Sequence, residues 1–125
     1  LMTDTGTEAQ FLAYLSEGRF MLQRDPISGR AVFPPRQRMP GTGTPLGDWV
    51  EMSGRGTVHA VTIQQKRDAA ARAIVLVDLD EGGRMLSQMT GIEADAVAIG
   101  DAVQARLVAD ADIPHVVFEP AKGAI

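Results

Sequence analysis

The 125-residue chain contains no cysteine, few aromatic residues and no long apolar segment. Without cysteine the chain forms no disulfide bond. No apolar run approaches the roughly 20 residues that a membrane-spanning helix needs, and no export signal is visible. We therefore expect a cytoplasmic protein that crosses no membrane, built as one compact domain with a small appendage.

Acidic residues outnumber basic ones, which gives the chain a net charge of -4. A phosphate backbone is disfavoured as the main partner, because such binding rests on lysine and arginine. The charge is uneven, however, since residues 18–44 contain only Asp25 as an acid against Arg19, Arg24, Arg30, Arg36 and Arg38. Guanidinium groups pair bidentately with phosphate and carboxylate. This stretch is therefore either a solvated loop surface or a site for a phosphate or an acidic partner.

The first predicted element is a helix over about Thr7–Glu17. Thr5–Glu8 has the spacing of a capping box, an apolar stripe follows at helical intervals, and Gly18 supplies the stop. The stripe consists of Phe11, Leu12, Tyr14 and Leu15. After the glycine a small hairpin is expected, with strands at Arg19–Gln23 and Ala31–Phe33.

Beyond residue 52 the pattern predicts a small closed antiparallel barrel of the OB type. Gly54 and Gly56 permit a bulge or a sharp coil at the start of a bent strand. The polar segment Gln65–Arg72 is interpreted as a mobile loop, and Ala73–Leu79, apolar on both faces, is expected to be central. The five predicted strands are Thr57–Ile63, Ala73–Leu79, Arg84–Met89, Ala102–Val108 and Ile113–Phe118.

No constellation of residues with a catalytic pattern stands out. Asp78 and Asp80 lie on one face of a predicted strand, where two carboxylates can hold a hard cation, but acidic residues beside Gly-Gly are also ordinary turn chemistry. His59 and His115 have no spaced carboxylate or nucleophile. Ser53 lacks the strand-to-helix elbow that would activate it. The sequence therefore favours a protein that is not catalytic on its own.

A proline-stiffened segment is the strongest candidate for a binding surface. Pro34 and Pro35 fix φ at about -65° and remove two amide donors, which places the segment outside helices and central strands. Phe33 and Arg36 flank the prolines, and Trp49, the one tryptophan, is a candidate apolar anchor. The full candidate binding surface consists of Phe33, Pro34, Pro35, Arg36, Arg38, Trp49 and Arg55.

Several short segments have a family resemblance in their order and spacing: Glu17-Gly18-Arg19, Leu22-Gln23-Arg24, Phe33-Pro34-Pro35-Arg36, Trp49, Ser53-Gly54-Arg55-Gly56-Thr57-Val58, Val77-Asp78-Leu79-Asp80-Glu81-Gly82, Ile99-Gly100 and Phe118-Glu119-Pro120. Together they resemble the rubredoxin-like zinc ribbon plus OB-fold proteins catalogued as domain of unknown function thirty-five. The resemblance covers nearly the whole chain. It implies a mainly β protein with an N-terminal helix (residues 1–17), a degenerate ribbon (18–52), an OB-fold barrel (53–120) and a flexible tail (121–125).

Members of that family usually carry four cysteines in the ribbon, at positions that fall here on Asp25, Ser28, Met39 and Thr42. Structural zinc needs four soft or imidazole ligands in a tetrahedral array, which these side chains do not supply. The departure predicts a metal-free, mobile ribbon without zinc or another cofactor. We expect its shape to be held by its prolines and by packing of Phe33, Met39 and Trp49.

For function, the resemblance implies an accessory subunit of acyl-CoA and lipid metabolism, part of a thiolase, aldolase or hydratase complex. In such assemblies the thiolase-fold or hydratase partner carries the catalytic nucleophile, while the OB-ribbon protein bridges subunits and helps to hold the CoA part of an acyl-CoA. The alternative is a single-stranded nucleic-acid-binding OB protein, which needs a basic groove with stacking aromatics. The predicted barrel is acidic and its only aromatic residue is Phe118, so nucleic acid is the less favoured partner.

Overall fold

The computed structural model describes residues 6–46 and 48–121, which contain one α-helix, eight strands and a short 3-10 helix. In chain order the elements are α1 (Thr7–Ser16), β1 (Met21–Arg24), β2 (Ala31–Val32), β3 (Trp49–Glu51), β4 (Arg55–Lys66), β5 (Ala69–Leu79), β6 (Arg84–Gln88), the 3-10 helix (Ala94–Ala96), β7 (Ala102–Val108) and β8 (His115–Pro120). None of the helices in this described part has the length and apolarity needed to span a membrane. The proposed cap residue Thr5 and the tail after Ala121 lie outside it.

The predicted N-terminal helix is confirmed as α1, which begins behind an extended N-cap residue, Gly6. It ends where Gly18 adopts φ +78, the left-handed conformation that favours glycine. The Gly18 amide donates to the Leu15 carbonyl at 2.9 Å, which satisfies one of the last helical carbonyls. Phe11 and Leu15, one helical turn apart, are the buried residues of α1.

The chain forms two compact units, each assembled from several segments. We call the first the ribbon unit; it contains the chain through Ser53 together with Glu81–Gly83 and Leu107–His115. We call the second the barrel unit; it contains Gly54–Asp80, Arg84–Arg106 and the residues from Val116 onward. Neither unit is a continuous stretch of sequence.

The ribbon unit contains a three-stranded antiparallel sheet in the order β2-β1-β3. Gln23 in the central strand lies opposite Val32 on one side and Trp49 on the other. The third strand was not predicted, because three residues are too few to show an alternating pattern. The buried apolar side chains of this unit are Phe11, Leu15, Phe20, Met21, Leu22, Ala31, Leu46 and Met52.

The barrel unit contains a five-stranded sheet in the order β6-β5-β4-β7-β8. A parallel bridge between Met89, directly after β6, and Phe118 in β8 joins the two ends of that order. The Thr90 amide donates to the Phe118 carbonyl at 2.7 Å beside it. This closure is that of an OB-type barrel and confirms the predicted fold class. The buried apolar residues are Val58, Ala73, Val75, Val77, Leu79, Met85, Met89, Val97, Val103, Val116, Val117 and Phe118.

The structure explains both glycines predicted to matter at the start of β4, since Gly54 adopts φ +82, the left-handed conformation that favours glycine. A Cβ at Gly56 would lie 2.6 Å from Val77 Cγ1 and 2.8 Å from the Asp78 carbonyl oxygen, so only glycine permits this approach of β4 to β5. The bulge itself lies further along the strand. His59 is the extra residue, because Val58 pairs with Val77 whereas Ala60 pairs with the next residue of β5, Leu76.

The prediction that Gln65–Arg72 forms a mobile loop is wrong. β4 continues to Lys66 and β5 begins at Ala69, so that only Arg67 and Asp68 form the turn. Backbone pairing satisfies the hydrogen-bonding groups of this hairpin without requiring an apolar face. The side chains here are polar at the end of β4 and small alanines at the start of β5, so neither strand end has a hydrophobic alternation that predicts it.

Candidate functional site

The arginines of the ribbon unit fall into two groups. Arg19 lies 3.8 Å from the Glu17 carboxylate, and Arg24 lies 3.2 Å from that of Asp48. Within residues 6–46 and 48–121 no ion pair involves the remaining three arginines of the basic stretch, which are Arg30, Arg36 and Arg38. The excess positive charge noted in the sequence therefore rests on these three side chains.

Two of these arginines stabilise their own loops through backbone carbonyls. Arg36 donates from Nε to the Pro34 carbonyl at 3.3 Å, and Arg38 donates from Nη1 to the Gly43 carbonyl at 2.9 Å. A guanidinium has five N–H donors, so each retains donors that can meet an anion. The chain bends at Gln37, so the spacing of two residues does not by itself place both guanidinium groups on one face.

A buried glutamine fixes the proline segment to the ribbon sheet. Gln23 is 1% exposed, and its Oε1 accepts a hydrogen bond from the Arg36 amide at 2.9 Å. Its Nε2 donates to the Arg36 carbonyl at 2.6 Å and to the Leu46 carbonyl at 3.4 Å. One side chain thus satisfies backbone groups of two loops, and it sets where Arg36 leaves the sheet.

The aromatic members of the candidate surface both pack on α1. The ring of Phe33 meets Phe11 edge-on, with centroids 5.7 Å apart, and Trp49 lies 5.4 Å from Tyr14 in a tilted arrangement. Arg19 covers Tyr14, with its guanidinium carbon 5.0 Å from the ring centroid. Phe11 and Tyr14 are three residues apart and so share one helix face. Phe33 and Trp49 are each half-buried, which leaves part of both rings accessible.

Asp25 and Ser28, at the first two positions that carry zinc-binding cysteines in other family members, form a hydrogen-bonded turn. Asp25 is 8% exposed, and its carboxylate accepts hydrogen bonds from the Ile27 amide at 3.1 Å and from the Ser28 hydroxyl at 2.9 Å. The Ser28 oxygen in turn accepts from the Arg30 amide at 3.2 Å. The Ile27 and Ser28 hydrogen bonds hold the pKa of Asp25 below its ordinary value, against a smaller opposing effect of burial.

The second pair, Met39 and Thr42, lies in a loop that its backbone closes. The Gly43 amide donates to the Met39 carbonyl at 2.9 Å, and the Met39 amide donates to the Thr44 carbonyl at 2.8 Å. The hydroxyls of Thr42 and Thr44 are 3.0 Å apart. Both turns that would hold zinc in a cysteine-bearing ribbon are therefore closed by hydrogen bonds.

The described residues include no group of three or more histidine, cysteine, aspartate or glutamate side chains placed to bind a metal ion. The one carboxylate at the four positions that carry cysteine in other family members, that of Asp25, already accepts two hydrogen bonds. The donor set of Asp25, Ser28, Met39 and Thr42 does not match the soft ligands of structural zinc. The residues present at the ribbon do not fit that metal.

Arg55, the last residue of the candidate surface, belongs to β4 in the barrel unit, where it lies 3.5 Å from the Asp80 carboxylate. The neighbouring carboxylate, Asp78, lies 2.6 Å from Arg84 Nε and 3.3 Å from His59 Nδ1. The Arg84 hydrogen bond lowers the pKa of Asp78, with burial opposing it. The two aspartates considered as ligands for a cation, Asp78 and Asp80, thus each form an ion pair with an arginine.

Sequence reasoning missed two residues that shape the site. The role of Gln23 depends on Arg36 and Leu46, which are 13 and 23 positions away, and no local pattern signals such a bond. Tyr14, in contrast, gave a usable signal. It follows Phe11 by three residues on one helix face, and the ribbon segment contains three other aromatic residues, Phe20, Phe33 and Trp49, on which this pair could pack.

One known family matches the chain over residues 49–108, and its description is ChsH2, C-terminal OB-fold domain. The matched segment begins with β3 of the ribbon sheet and continues to the end of β7. It therefore includes four of the five barrel strands.

Two curated proteins are similar to the chain in sequence. A DUF35 domain-containing scaffold protein of Methanothermobacter thermautotrophicus is 30% identical over 60 residues, covering 44% of this chain and 45% of that protein. The 3-oxo-4,17-pregnadiene-20-carboxyl-CoA hydratase alpha subunit of Mycobacterium tuberculosis is 35% identical over 77 residues, covering 58% of this chain and 25% of that protein. The chain matches less than half the length of either relative.

Two solved structures are similar over nearly the whole chain. The Ltp2-ChsH2(DUF35) aldolase superposes with a TM-score of 0.75 at 27% identity, covering 91% of this chain and 94% of the other. A DUF35 protein of unknown function from Sulfolobus solfataricus superposes with a TM-score of 0.69 at 19% identity, covering 96% and 90%; this second likeness is one of fold. The helix, ribbon and barrel therefore recur together in these relatives.

Proposed function

The chain belongs to the DUF35 family with its ChsH2-type C-terminal OB fold, and on that premise we propose that it is a non-catalytic accessory subunit of acyl-CoA metabolism. It docks a thiolase-fold or hydratase partner and helps to hold the CoA part of an acyl-CoA. The names of two relatives, an aldolase and the alpha subunit of a CoA-thioester hydratase, support this assignment.

The observation that favours the ribbon as the docking and CoA-binding region is its uncompensated positive charge. On a chain of net charge -4, Arg30, Arg36 and Arg38 have no carboxylate partner among the described residues. In the barrel unit Arg55 and Arg84 are ion-paired, whereas Arg67, Arg72 and Arg106 form no ion pair within the described residues. The ribbon differs because its unpaired arginines lie in a stretch, residues 18–44, whose one acid is Asp25. Unpaired guanidinium groups are the side chains suited to the phosphates of CoA and to an acidic partner surface.

The half-buried aromatic rings supply the apolar component of the proposed docking surface. Trp49 is held by Tyr14, and Phe33 is held by Phe11, so that docking would cost little side-chain entropy. Rigid tryptophan side chains dominate many interfaces.

The alternative function, binding of single-stranded nucleic acid, is less well supported by the barrel. Such binding uses aromatic side chains on which bases stack. Phe118 is the one aromatic residue that the sequence places in the barrel segment, and it is 0% exposed. The chain is also acidic, which weakens attraction to a phosphate backbone.

The proposal is tested by reversing the charge of Arg36 and Arg38 together. We expect the Arg36→Glu/Arg38→Glu variant to lose CoA affinity by at least about tenfold in calorimetric titration. It should also lose co-purification of a thiolase-fold or hydratase protein from the native cell. A matched control, Arg67→Glu/Arg106→Glu, reverses two exposed barrel arginines and should retain both properties.

Fold is checked by thermal unfolding, in which the ribbon variant should lie within about 1 kcal/mol of the wild type. If the folded ribbon variant keeps both CoA and partner binding, the ribbon is not the docking region. Titration with a single-stranded oligonucleotide at low salt should give no binding. Tight, salt-sensitive binding there would favour the nucleic-acid alternative instead.

A further inference from the structure

The second half of β4 has one edge without a strand partner. β4 pairs with β7 only over Arg55–Thr57, and the Val58 carbonyl and amide then bond to Gly100 and Asp101. From Ala60 to Lys66, β5 is the one strand that pairs with β4 within residues 6–46 and 48–121. We call this side of Ala60–Lys66 the free edge.

The direction of the backbone groups at the free edge follows from a bond on the far side of β5. The Ala73 carbonyl accepts from the Met89 amide at 3.0 Å, so Ala73 faces away from β4. Residues opposite each other in an antiparallel pair either bond to each other or both face away. Ile63, which is opposite Ala73, therefore presents its N–H and C=O at the free edge.

The same orientation applies to the residues two positions away on either side. Backbone direction alternates along a strand, so Val61 and Gln65 face the free edge as Ile63 does. The irregularity near Gln65 has its additional residue on β5, since Gln64 pairs with Arg72 and Lys66 with Ala69. β4 itself keeps its alternation, and the free edge offers three N–H and three C=O groups.

The free edge lacks the features that usually prevent strand addition. Natural edge strands are protected by charged side chains, prolines, bulges or short length. Here a bulge lies before the edge, at His59, and a charge lies at its end, at Lys66. Between them the sequence Val61-Thr62-Ile63-Gln64-Gln65 contains no charge and no proline, and three of these residues are β-branched.

We propose that the free edge pairs with the free edge of a second copy of this chain, antiparallel and about a two-fold axis at Ile63. In that register Ile63 pairs with its own copy, and Val61 pairs with Gln65 in both directions. All six outward backbone groups of each copy are then bonded.

The side chains are compatible with this register. Opposed residues share one face of a sheet, so the two Ile63 side chains, each 38% exposed in the single chain, would cover one another. Thr62 would lie opposite Gln64, and Lys66 opposite Ala60, so that no like charges face each other. Isologous pairing of this kind closes at two copies and leaves no further edge of β4 available.

This inference goes beyond the proposed function and does not depend on it, because neither the ribbon arginines nor CoA is involved. An interface made mainly by one pair of strands is small, and small interfaces are weak and concentration-dependent. We therefore expect a dimer that forms at high protein concentration. Sedimentation velocity over about 10 μM to about 1 mM of the full chain is the appropriate measurement.

Charge substitutions at Ile63 test the two-fold axis directly. Ile63→Lys and Ile63→Glu each place two like charges opposite one another, and each should weaken dimerisation at least about tenfold. An equimolar mixture of the two variants should regain association as a heterodimer. The matched control is Leu86→Lys, at a residue of β6 that is 67% exposed, and it should dimerise as the wild type does.

Amide hydrogen exchange of the wild type gives a second measurement that needs no variant. The Val61, Ile63 and Gln65 amides should become more protected as concentration rises, whereas the Thr62 amide, which faces β5, should be protected throughout. The proposal is overturned if the wild type remains monomeric, if Ile63→Lys dimerises normally, or if the mixed variants fail to associate. Protection of Ile63 at every concentration in a monomer would mean that another segment covers the edge, and would also overturn it.

Discussion

The ribbon unit and the barrel unit hold their chain segments together by different kinds of hydrogen bond. In the ribbon unit, side chains bond to loop backbone: Gln23 to Arg36 and Leu46, and Asp25 to Ile27. In the barrel unit, long backbone ladders connect β4 to β5 and β5 to β6. A ladder spreads stability over many residues, whereas the ribbon relies on a few named side chains. We therefore expect the ribbon to be more sensitive to single polar substitutions than the barrel is.

The largest expected effect is in the barrel core and comes from apolar volume instead of polar bonding. Phe118 is 0% exposed and lies at the bridge that closes the barrel. Phe118→Ala should lower the free energy of unfolding by about 3–5 kcal/mol, measured by chemical denaturation. Leu86→Ala, at an exposed apolar residue of the same unit, should change it by less than about 0.5 kcal/mol. Similar values for the two variants would contradict the assigned core.

The next effect concerns Gln23 and sharpens the contrast between the units. Gln23→Met keeps a similar volume but leaves the Arg36 N–H and the Arg36 and Leu46 carbonyls without their partner. Unsatisfied buried groups cost about 1–3 kcal/mol, and hydrogen exchange should quicken at the Arg36 amide. Gln88→Met, at a half-buried barrel residue whose Oε1 accepts from Arg72, is the control and should cost less. An unchanged Arg36 exchange rate would show that Gln23 does not anchor the loop.

A smaller effect separates two aspartates by pH and salt. Asp25 and Asp78 both have a lowered folded-state pKa. Each therefore contributes stability that is present above the unfolded value of about 4 and is lost as pH falls through the folded value. Asp25→Asn and Asp78→Asn should be less stable than the wild type near neutral pH, and the differences should close at low pH.

Salt should distinguish these two variants, because the causes of the pKa shifts differ. Asp25 is bonded mainly to an amide and a hydroxyl, whereas Asp78 is bonded first to the cationic Arg84. Salt screens exposed ion pairs. Raising ionic strength should reduce the effect of Asp78→Asn and leave that of Asp25→Asn nearly unchanged in thermal unfolding. Equal salt dependence would mean that Asp25 also pairs with a charge.

The smallest expected effect is that of metal removal. The hydrogen-bonded turns at Asp25 and Met39 supply the closure that zinc gives a cysteine-bearing ribbon. We expect the unfolding temperature to be the same with and without a chelator, and elemental analysis to find no stoichiometric zinc. One zinc per chain that survives dialysis against a chelator would reverse this view of the ribbon.

Much of the barrel could be predicted because its strands are apolar runs bounded by turn residues. Ala73–Leu79, for example, is apolar on both faces in the sequence, and it forms most of β5, which lies between β4 and β6. The hairpin ends around Lys66 and Ala69 could not be predicted, since the side chains there are exposed polar residues at the end of β4 and small alanines at the start of β5. Strands held by backbone pairing alone leave no hydrophobic signal.

The candidate site was predictable in composition but not in geometry. The arginine excess of residues 18–44 is visible in the sequence. However, Arg24 pairs with Asp48, which lies beyond residue 44, so fewer arginines lack a carboxylate partner than the charge count suggested. The contacts of Phe33 and Trp49 with α1 join residues far apart in the chain. Such pairings depend on how the units fold, and a single sequence does not encode them as a local pattern.

The segmented make-up of the ribbon unit has a consequence for synthesis. Its first residues leave the ribosome early, but its last segment, Leu107–His115, emerges after nearly all of the barrel unit. Folding one domain after another during translation is therefore not open to this chain, whose N-terminal unit stays incomplete until the C-terminal one is almost fully made. Until then the ribbon unit lacks one of its three segments, and the time needed to translate the barrel unit sets how long it stays incomplete.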